Sequence, residues 1–454
     1  MPKLGLAGTT VDRRGLLKLL GAAGATTAFV SACSAVPIGQ QPSSSSGAGA
    51  AGAAPAGGVT SANGVAVTTT RPKGPGGNLN WKAGDSLQFL PSDTIPAGKA
   101  ADQLAALPKE RLLRAYERMT ASRLWETQMK DLFVEGKDGL YGAFHPYVGE
   151  EAIANGVVTA LNEDDYIVST HRGHGHLIAK GGDLNKMSAE IFFKQTGANH
   201  GFGGSMHIVE VDKGILGMNG IVGASYHLAA GAALSAQIRG TKQVSIAFAG
   251  DGAAQSPYFF GAVRSATNYK LPVIFVTENN FQFIQVPSPT VIPTPNISDY
   301  FAGLGIPSTT IDGNDLAAVQ SATAEAVARA RAGQGPSFIE AITYRWYDHA
   351  GFAGAKSGID AAFGLPYRSD DEVKQWMTRD PIKRYKTFLV GKNLATEAEL
   401  TKIEQDVQAR VVASVDYARK SPDPDPKAGL TNVYANAPVA ATQFYAAAVV
   451  EGLA

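Results

Sequence analysis

The chain has 454 residues, which is too long for one small domain but suits a single large α/β domain with appended segments. Lys plus Arg and Asp plus Glu each number 40, so the formal net charge is zero, and without a basic excess no nucleic acid partner is expected. Cys33 is the only cysteine, which excludes an internal disulfide framework and a cysteine-based zinc site.

Residues 1–33 have the features of an export signal. Arg13-Arg14 precede a mildly apolar run that ends in Val-Ser-Ala-Cys33. The paired arginines followed by Gly-Leu-Leu-Lys resemble a bacterial twin-arginine signal, and Val-Ser-Ala-Cys resembles a lipobox, whose cysteine is lipidated after cleavage. We therefore expect export by the twin-arginine route to the periplasmic side, with membrane anchoring through Cys33. The alternative is a fortuitous basic and apolar start on a cytoplasmic chain.

A charge-free segment follows the signal. Residues 34–70 are largely Ser, Gly, Ala and Pro and contain no charged residue, so they cannot bury enough apolar surface to offset the entropy of ordering them. Residues 71–100 are still interrupted by Pro and Gly. We predict a low-complexity tether and irregular segment over 34–103, and a folded domain with C-terminal helices over 104–454.

Helices and strands alternate along that domain. Apolar residues recur at helical spacing over 104–136, and Gly136 ends the run. Beyond it, short strands rich in β-branched residues alternate with helices, which predicts an α/β fold with a parallel sheet flanked by helices. The other predicted helices are 149–161, 186–196, 226–240, 256–268, 314–332 and 396–420, and the predicted strands are 166–170, 243–249, 272–278, 307–311 and 337–343.

Two of the predicted strands end on small groups of oxygen ligands. Gly250-Asp251-Gly252 follow the strand 243–249, and Asn279-Asn280 follow the strand 272–278. Ligands of open parallel sheets bind at the carboxyl ends of the strands, so the two groups are expected to converge. A carboxylate, an amide oxygen and a backbone carbonyl suit a Mg²⁺ ion that shares its open positions with a phosphorylated ligand.

These groups carry a resemblance to a known family. Gly-Asp-Gly, 26 intervening residues and Asn-Asn resemble the thiamine diphosphate–magnesium signature of thiamine-dependent enzymes. From about residue 104 to about residue 390 the chain resembles the alpha subunit of the first component of 2-oxo acid dehydrogenase complexes, and in particular acetoin dehydrogenase alpha chains. The motifs that carry the resemblance are HPYVGEEAIANG (145–156), STHRGHGHLIAKGGD (169–183), GFGGSMHIVEVDKGILGMNGIVGA (201–224), LPVIFVTENN (271–280), IDG (311–313), TYRWYDH (343–349) and YRSDDEV with RDPI (367–382).

The resemblance implies a thiamine diphosphate-binding fold and a role for each matching residue. Asp251, Asn280 and the backbone carbonyl of Gln282 would hold Mg²⁺. His349 would contact the diphosphate and belong to the catalytic centre, and Ile284 would be the apolar wedge that keeps the cofactor bent. The other implied cofactor-binding residues are His145, His171 and Arg172 at the diphosphate, Gly220 and Val222 at the aminopyrimidine, and Gly252 and Ala253 after the strand.

The eight histidines divide into three groups. His145, His171, His207 and His349 match family positions. His174 and His176 belong to the RGHGH loop and are interpreted as residues that order it. The remaining two, His200 and His227, are interpreted as incidental.

The resemblance also implies an activity and its partners. In the family, the cofactor attacks the carbonyl carbon of a 2-oxo acid or of acetoin, and the group left after decarboxylation or cleavage passes to a lipoyl arm or another oxidised acceptor. The glutamate that activates the aminopyrimidine lies in a separate beta chain. An α2β2 assembly with a beta subunit is therefore expected, with a lipoyl-bearing acyltransferase as a further partner.

Several positions depart from the family pattern and leave other functions open. One alternative is an exported, lipid-anchored protein that binds a thiamine compound without catalysis. A one-chain enzyme such as a transketolase is disfavoured, because the chain is too short for both cofactor domains. The departures are Glu150 for Gln, His227-Leu228 for Pro-Leu, Gln255-Ser256-Pro257 for Asn-Gln-Gly, Gly261 for Glu, Arg264 for Asn, Gln282 for Tyr, and Ala350 for the serine that is phosphorylated in mitochondrial relatives.

Overall fold

The fold is built on a sheet of parallel strands. The computed structural model describes residues 92–428 except 293 and 295, all within the unit Gly58–Ala454, so the predicted signal, tether and Cys33 lie outside the described residues. Within these residues the sheet has five strands in the order β1-β2-β3-β7-β6. Their bounds are β1 Tyr166–Val168, β2 Ser245–Gly250, β3 Val273–Asn279, β6 Ser308–Asp312 and β7 Ser337–Ile342, and a small hairpin joins β4 Gln282–Phe283 to β5 Val286–Pro287.

Helices cover both faces of the sheet, so the predicted fold class is confirmed. Their bounds are α1 Lys99–Ala105, α2 Lys109–Glu135, α3 Glu151–Thr159, α4 His174–Lys180, α5 Leu184–Ile191, α6 Ala224–Arg239, α7 Pro257–Asn268, α8 Ser298–Gly303, α9 Leu316–Arg331, α10 Asp370–Met377, α11 Pro381–Gly391 and α12 Glu397–Lys420. Among the described residues, none of these helices combines the length and the apolar character needed to cross a bilayer.

The central strand β2 shows how the two cores arise. Ile246 and Phe248 belong to the core shared with α2, α3, α5, α9 and α12. Ala247 and Ala249 belong to the core shared with α6, α7 and α8. Successive side chains of a strand point to opposite faces, so this continuous apolar run is buried on both sides, as expected for a parallel sheet.

Four neighbouring strands deliver polar loops to the same edge of the sheet. Gly250 of β2 pairs with Glu278 of β3, and Asn279 pairs with Ile342 of β7. Because β1, β2, β3 and β7 are all parallel, the residues that follow them emerge together. The carboxyl edge therefore collects the segments 169–172, 251–255, 280–284 and 343–349.

The structure contains helices that the apolar pattern did not predict. α1 begins before residue 104, where the predicted periodicity starts, and it buries Ala101 and Leu104. All seven residues of α4 are buried. A helix buried on every side has no amphipathic pattern, which explains why the sequence of α4 does not reveal it.

Candidate active site

A cavity of about 270 Å³ lies at the carboxyl edge of the sheet. Both groups of oxygen ligands line it, so the segments that follow β2 and β3 converge as expected. Gly220 and His145 are not in its lining, although Asn219 and Ile221 are. The predicted site residues that line the cavity are His171, Arg172, Val222, Asp251, Gly252, Ala253, Asn280, Gln282, Ile284 and His349.

Asp251 provides a buried carboxylate with one free oxygen. Its Oδ1 accepts a hydrogen bond from the backbone N–H of Gly252 at 2.9 Å. Its Oδ2 is buried and has no hydrogen-bond partner among the described residues. Burial raises the pKa of Asp251 to about 6. A buried acceptor without a partner is costly, so this oxygen is suited to a cation.

The paired asparagines have different environments. The amide of Asn279 donates to Glu340 at 2.7 Å, so this side chain is used inside the fold. Asn280 donates to Glu150 at 3.2 Å, and its Oδ1 accepts from the backbone of Gln282 at 3.2 Å. Asn280 lines the cavity, and its oxygen, which accepts one hydrogen bond, retains a lone pair for a metal.

Three histidine rings form a cluster beside the cavity. The ring centroid of His145 lies 4.6 Å from that of His171 and 4.8 Å from that of His349. Burial, reinforced by Arg172, lowers the pKa of His171 to about 3 and lowers the pKa values of His145 and His349 as well. Neutral imidazoles can donate hydrogen bonds to phosphate oxygens or coordinate a cation, and these ring nitrogens lie within 4.8 Å of one another.

Two buried arginines add positive charge. Arg172 donates to the backbone carbonyls of Pro146 at 2.8 Å and His349 at 3.1 Å. Arg345 donates to the carbonyl of Ile284, while its Nε and Nη1 have no partner among the described residues. Burial lowers the pKa of Arg345 to about 10, so it remains protonated at neutral pH. Buried cations with spare donors favour a multiply charged anion.

The sequence reasoning missed Arg345 and an acidic network under the cavity. His176 joins Ser169 at 2.8 Å to Glu278 at 2.9 Å, and the hydroxyl of Tyr147 donates to the same glutamate. Burial and the neighbouring Glu278 raise the pKa of Glu150 to about 8. Arg345 lies in the TYRWYDH motif two residues before Tyr347, and its position after a predicted strand is the one sequence signal that could have identified it.

Two apolar residues of the predicted site are partly open to solvent, and four of the histidines lie away from the cavity. Ile284 and Val222 are half exposed, and Ile284 has a left-handed backbone, with φ of 57°. His174 lies outside the cavity lining, buried between Glu126 and the carbonyl of Ser205. His200, His207 and His227 are exposed and do not line the cavity.

The fold and the cavity define a parallel α/β protein with a cavity at the sheet edge that is lined by oxygen-bearing and basic side chains. In the comparison with protein families, residues 116–427 match the family described as "Dehydrogenase E1 component". The chain therefore belongs to the dehydrogenase E1 component family, and its similarity to alpha subunits confirms the family expected from the motifs.

Individual relatives are similar to this chain over nearly their whole length. The alpha subunit of acetoin:2,6-dichlorophenolindophenol oxidoreductase from Bacillus subtilis strain 168 is 43% identical over 330 residues, which cover 72% of this chain and 95% of the relative. Its counterpart from Cupriavidus necator is 39% identical, with 74% and 98% covered. The pyruvate dehydrogenase E1 component subunit alpha of Rhizobium meliloti is 37% identical, with 73% and 92% covered.

The raised pKa of Glu150 predicts a pH-dependent stability of the cofactor-free protein. Folding raises this pKa from 4.5 to about 8, so the folded state holds a proton that the unfolded chain releases, and stability falls as the pH rises through this window. Above pH 7 the histidines whose pKa is lowered by folding no longer contribute to the pH dependence of stability, because they are neutral in both the folded and the unfolded chain. When the pH rises from 7 to 8.5, the free energy of unfolding of the wild type should therefore fall. In Glu150→Gln, which has no carboxyl at this position, we expect that fall to be smaller by roughly 1 kcal/mol.

Urea unfolding of the chelator-treated protein at several pH values measures this difference. The control is Glu110→Gln, because the Glu110 side chain is 81% exposed, and its stability should follow that of the wild type. Identical slopes for Glu150→Gln and the wild type would show that Glu150 does not hold the proton.

Proposed function

We propose that the chain is the alpha subunit of a thiamine diphosphate-dependent dehydrogenase that decarboxylates a pyruvate-like 2-oxo acid or cleaves acetoin. The observation that carries the proposal is the convergence of the free Asp251 oxygen, Asn280 and the buried Arg172 on one cavity. The names of the relatives support both substrate classes, because one group acts on acetoin and the other is named for pyruvate.

The residues present fit Mg²⁺ and a diphosphate. Asp251, Asn280 and the backbone carbonyl of Gln282 would supply the hard oxygen ligands that Mg²⁺ prefers. Glu150 supports this assignment because it accepts a hydrogen bond from the amide of Asn280, which leaves the amide oxygen for the metal. Gly252, whose added Cβ would meet Phe283 at 3.4 Å, keeps the backbone close to the ligand, and the backbone of Ala253 follows it along the same wall.

The cationic side of the cavity would bind the diphosphate. Arg172 and the ring nitrogens of His145, His171 and His349 would contact phosphate oxygens, and His349 would reach toward the reacting centre. When bound, thiamine diphosphate supplies the nucleophilic carbon that attacks the substrate carbonyl. Ile284 and Val222 would exclude water from the apolar part of the cofactor, and the backbone of Gly220 and Val222 would orient its aminopyrimidine.

A beta subunit is the expected partner, because the relatives are named as alpha subunits. We propose an α2β2 assembly in which the beta chain contributes the glutamate that activates the cofactor. A lipoyl-bearing acyltransferase is the family's usual acceptor, and another oxidised acceptor would replace it outside the cytoplasm.

A catalytically inactive binding protein is the second candidate. Gly261 and Arg264 replace family residues on the exposed side of α7. If these changes prevent assembly with a beta chain, the cavity would still bind a thiamine compound. The two candidates differ in whether a beta chain forms a complex.

We also propose that the protein is exported. Residues 1–33 would be the twin-arginine signal, Cys33 the lipidated residue of the mature chain, and 34–103 the tether that separates the membrane anchor from the folded domain. The order of twin arginines, apolar run and lipobox-like tetrapeptide supports this assignment.

Removing the Asp251 carboxylate should abolish cofactor binding. Asp251→Ala removes the anionic ligand of the metal, and without the metal the diphosphate charge is uncompensated, so we expect the affinity for thiamine diphosphate with Mg²⁺ to fall at least about 100-fold. Isothermal titration calorimetry on the chain co-purified with its beta subunit measures this. Asp371→Ala removes a carboxylate that is 94% exposed and should bind normally. Unchanged affinity in Asp251→Ala would refute the site assignment.

Catalysis should require the beta subunit. The purified chain alone should neither decarboxylate pyruvate nor cleave acetoin with an artificial electron acceptor, because the activating glutamate is absent. Co-purification with a cognate beta chain should give an α2β2 complex, by mass measurement in solution, that turns over one of the two substrates. Turnover by the chain alone contradicts the two-chain mechanism, whereas cofactor binding without assembly supports the binding-protein candidate.

Export should depend on the two arginines, and anchoring on Cys33. Arg13→Lys with Arg14→Lys should keep the full-length precursor in the cytoplasm, because the receptor reads the arginine pair. Cys33→Ala should block lipidation and signal removal but leave export intact. Cell fractionation and mass spectrometry of the mature N-terminus measure both effects. An unprocessed wild-type chain found wholly in the cytoplasm would show that residues 1–33 are not a signal.

A further inference from the structure

A second cleft, which we call the basic cleft, lies between α2, the carboxyl ends of α3 and α4, and the short turn Val211–Lys213. Its volume is about 610 Å³. Among the described residues, it shares no lining residue with the cavity at the sheet edge. The charged residues that line it are the cations Arg111, Arg114, Arg118, Lys180 and Lys213 and the acids Glu110, Glu163 and Asp212.

Among the described residues, only one of the five cations is paired with a carboxylate. Arg114 lies 2.5 Å from Glu110 and 3.8 Å from Glu163. Within residues 92–428, the other four cations form no ion pair, and each donates one hydrogen bond to a backbone carbonyl. These bonds are Arg111 to Leu161 at 2.7 Å, Arg118 to Ala179 at 2.6 Å, Lys180 to Glu163 at 2.6 Å and Lys213 to Gly181 at 2.5 Å.

The four cations without an ion pair have unused hydrogen-bond donors, and the positive charges in the cleft repel one another. A guanidinium has five N–H groups and an ammonium three, so a single carbonyl leaves most of them for a ligand. Arg111, Arg114 and Arg118 are spaced by three and four residues and therefore share one face of α2. Burial and the charge of Arg114 lower the pKa of Arg118, and burial lowers the pKa of Lys180. The carbonyls at the ends of α3 and α4 offset only part of this positive charge.

We propose that the basic cleft binds a small molecule with at least two anionic groups, of the size and chemistry of a nucleoside diphosphate. Its volume lies in the range of about 300–1,000 Å³ that ligand pockets occupy. Guanidinium groups match phosphate oxygens through parallel hydrogen bonds. Ala115 and Val158 also line the cleft and offer apolar contacts to an organic group.

The depth of the cleft favours a free molecule over a lipid headgroup. Lys180 is only 9% exposed and Asn155 only 2% exposed, so part of the wall is out of reach of a flat membrane surface. The basic cleft also lies at the far end of α4 from Arg172, because Lys180 is the last residue of that helix. A ligand bound there would not compete with thiamine diphosphate.

Calorimetric titration tests the proposal on the full chain with its beta subunit, saturated with thiamine diphosphate and Mg²⁺ so that the other cavity is filled. ADP is the probe, and inorganic phosphate is the smaller comparison. We expect ADP to bind more tightly than phosphate, and Arg118→Ala and Lys213→Ala each to weaken ADP binding about tenfold. Lys402→Ala, which removes an exposed lysine paired with Asp406, should leave ADP binding unchanged.

Each other outcome overturns the proposal. Absence of ADP binding by the wild type, or equal affinity in Lys213→Ala, would show that the basic cleft is not the site. The Lys213 variant decides this even if Arg118→Ala does not fold, because Lys213 is exposed. Sedimentation with phosphatidylglycerol vesicles that depends on Lys213, without ADP binding, would assign the cations to a membrane surface instead.

Discussion

The hydrogen bond from Asn279 to Glu340 fixes where β3 ends, and the site depends on that position. Glu340 is fully buried on β7. One of its oxygens accepts from the Asn279 amide at 2.7 Å, and the other accepts from the backbone of Ser298 at 3.0 Å and the hydroxyl of Thr310 at 3.1 Å. A buried carboxylate that lost one of these donors would be left unsatisfied at substantial cost. The first asparagine of the pair therefore holds the sheet edge, and the second is left to face the cavity.

The chain turns sharply after this anchor. Phe281 has a left-handed backbone, with φ of 64°, and its N–H donates to the side chain of Asn279 at 3.1 Å. Such a conformation is unfavourable for a bulky residue unless its surroundings enforce it. Here it brings Gln282 and Ile284 back toward Asp251, in the same cavity lining. Local strain is thus concentrated where the ligand oxygens must be arranged, as expected of a functional site.

The sequence predicts those functional residues that directly follow a strand. It does not predict properties that depend on contacts between residues distant in the chain. Asp251 and Asn280 could be predicted, because each follows an apolar run of the right length and parallel strands end at one edge. The raised pKa of Glu150 could not, because it depends on burial and on Glu278, which is distant in sequence. The RGHGH pattern predicts a loop around His176, yet this residue is buried in α4 and connects the ends of two strands through Ser169 and Glu278. No apolar periodicity reveals a helix that is buried all round.

Three of the departures from the family pattern, at His227-Leu228, Gly261 and Arg264, lie on the exposed surface of α6 and α7. A Cβ placed on Gly261 of α7 would lie 3.1 Å from Nε2 of His227 on α6, so a glutamate at 261 would require His227 to move. These two departures are therefore physically coupled. Leu228, Tyr258 and Phe260 on the same helices expose 48%, 46% and 57% of their surface.

An apolar surface of this kind is typical of an interface with another chain. Glu150 is a departure that changes charge outside the cavity lining, and it accepts a hydrogen bond from the amide of the cavity-lining Asn280, which leaves the amide oxygen for a ligand. The dehydrogenase and the inactive binding protein thus share the same cofactor chemistry. What separates them is whether a partner chain covers the surface formed by α6 and α7.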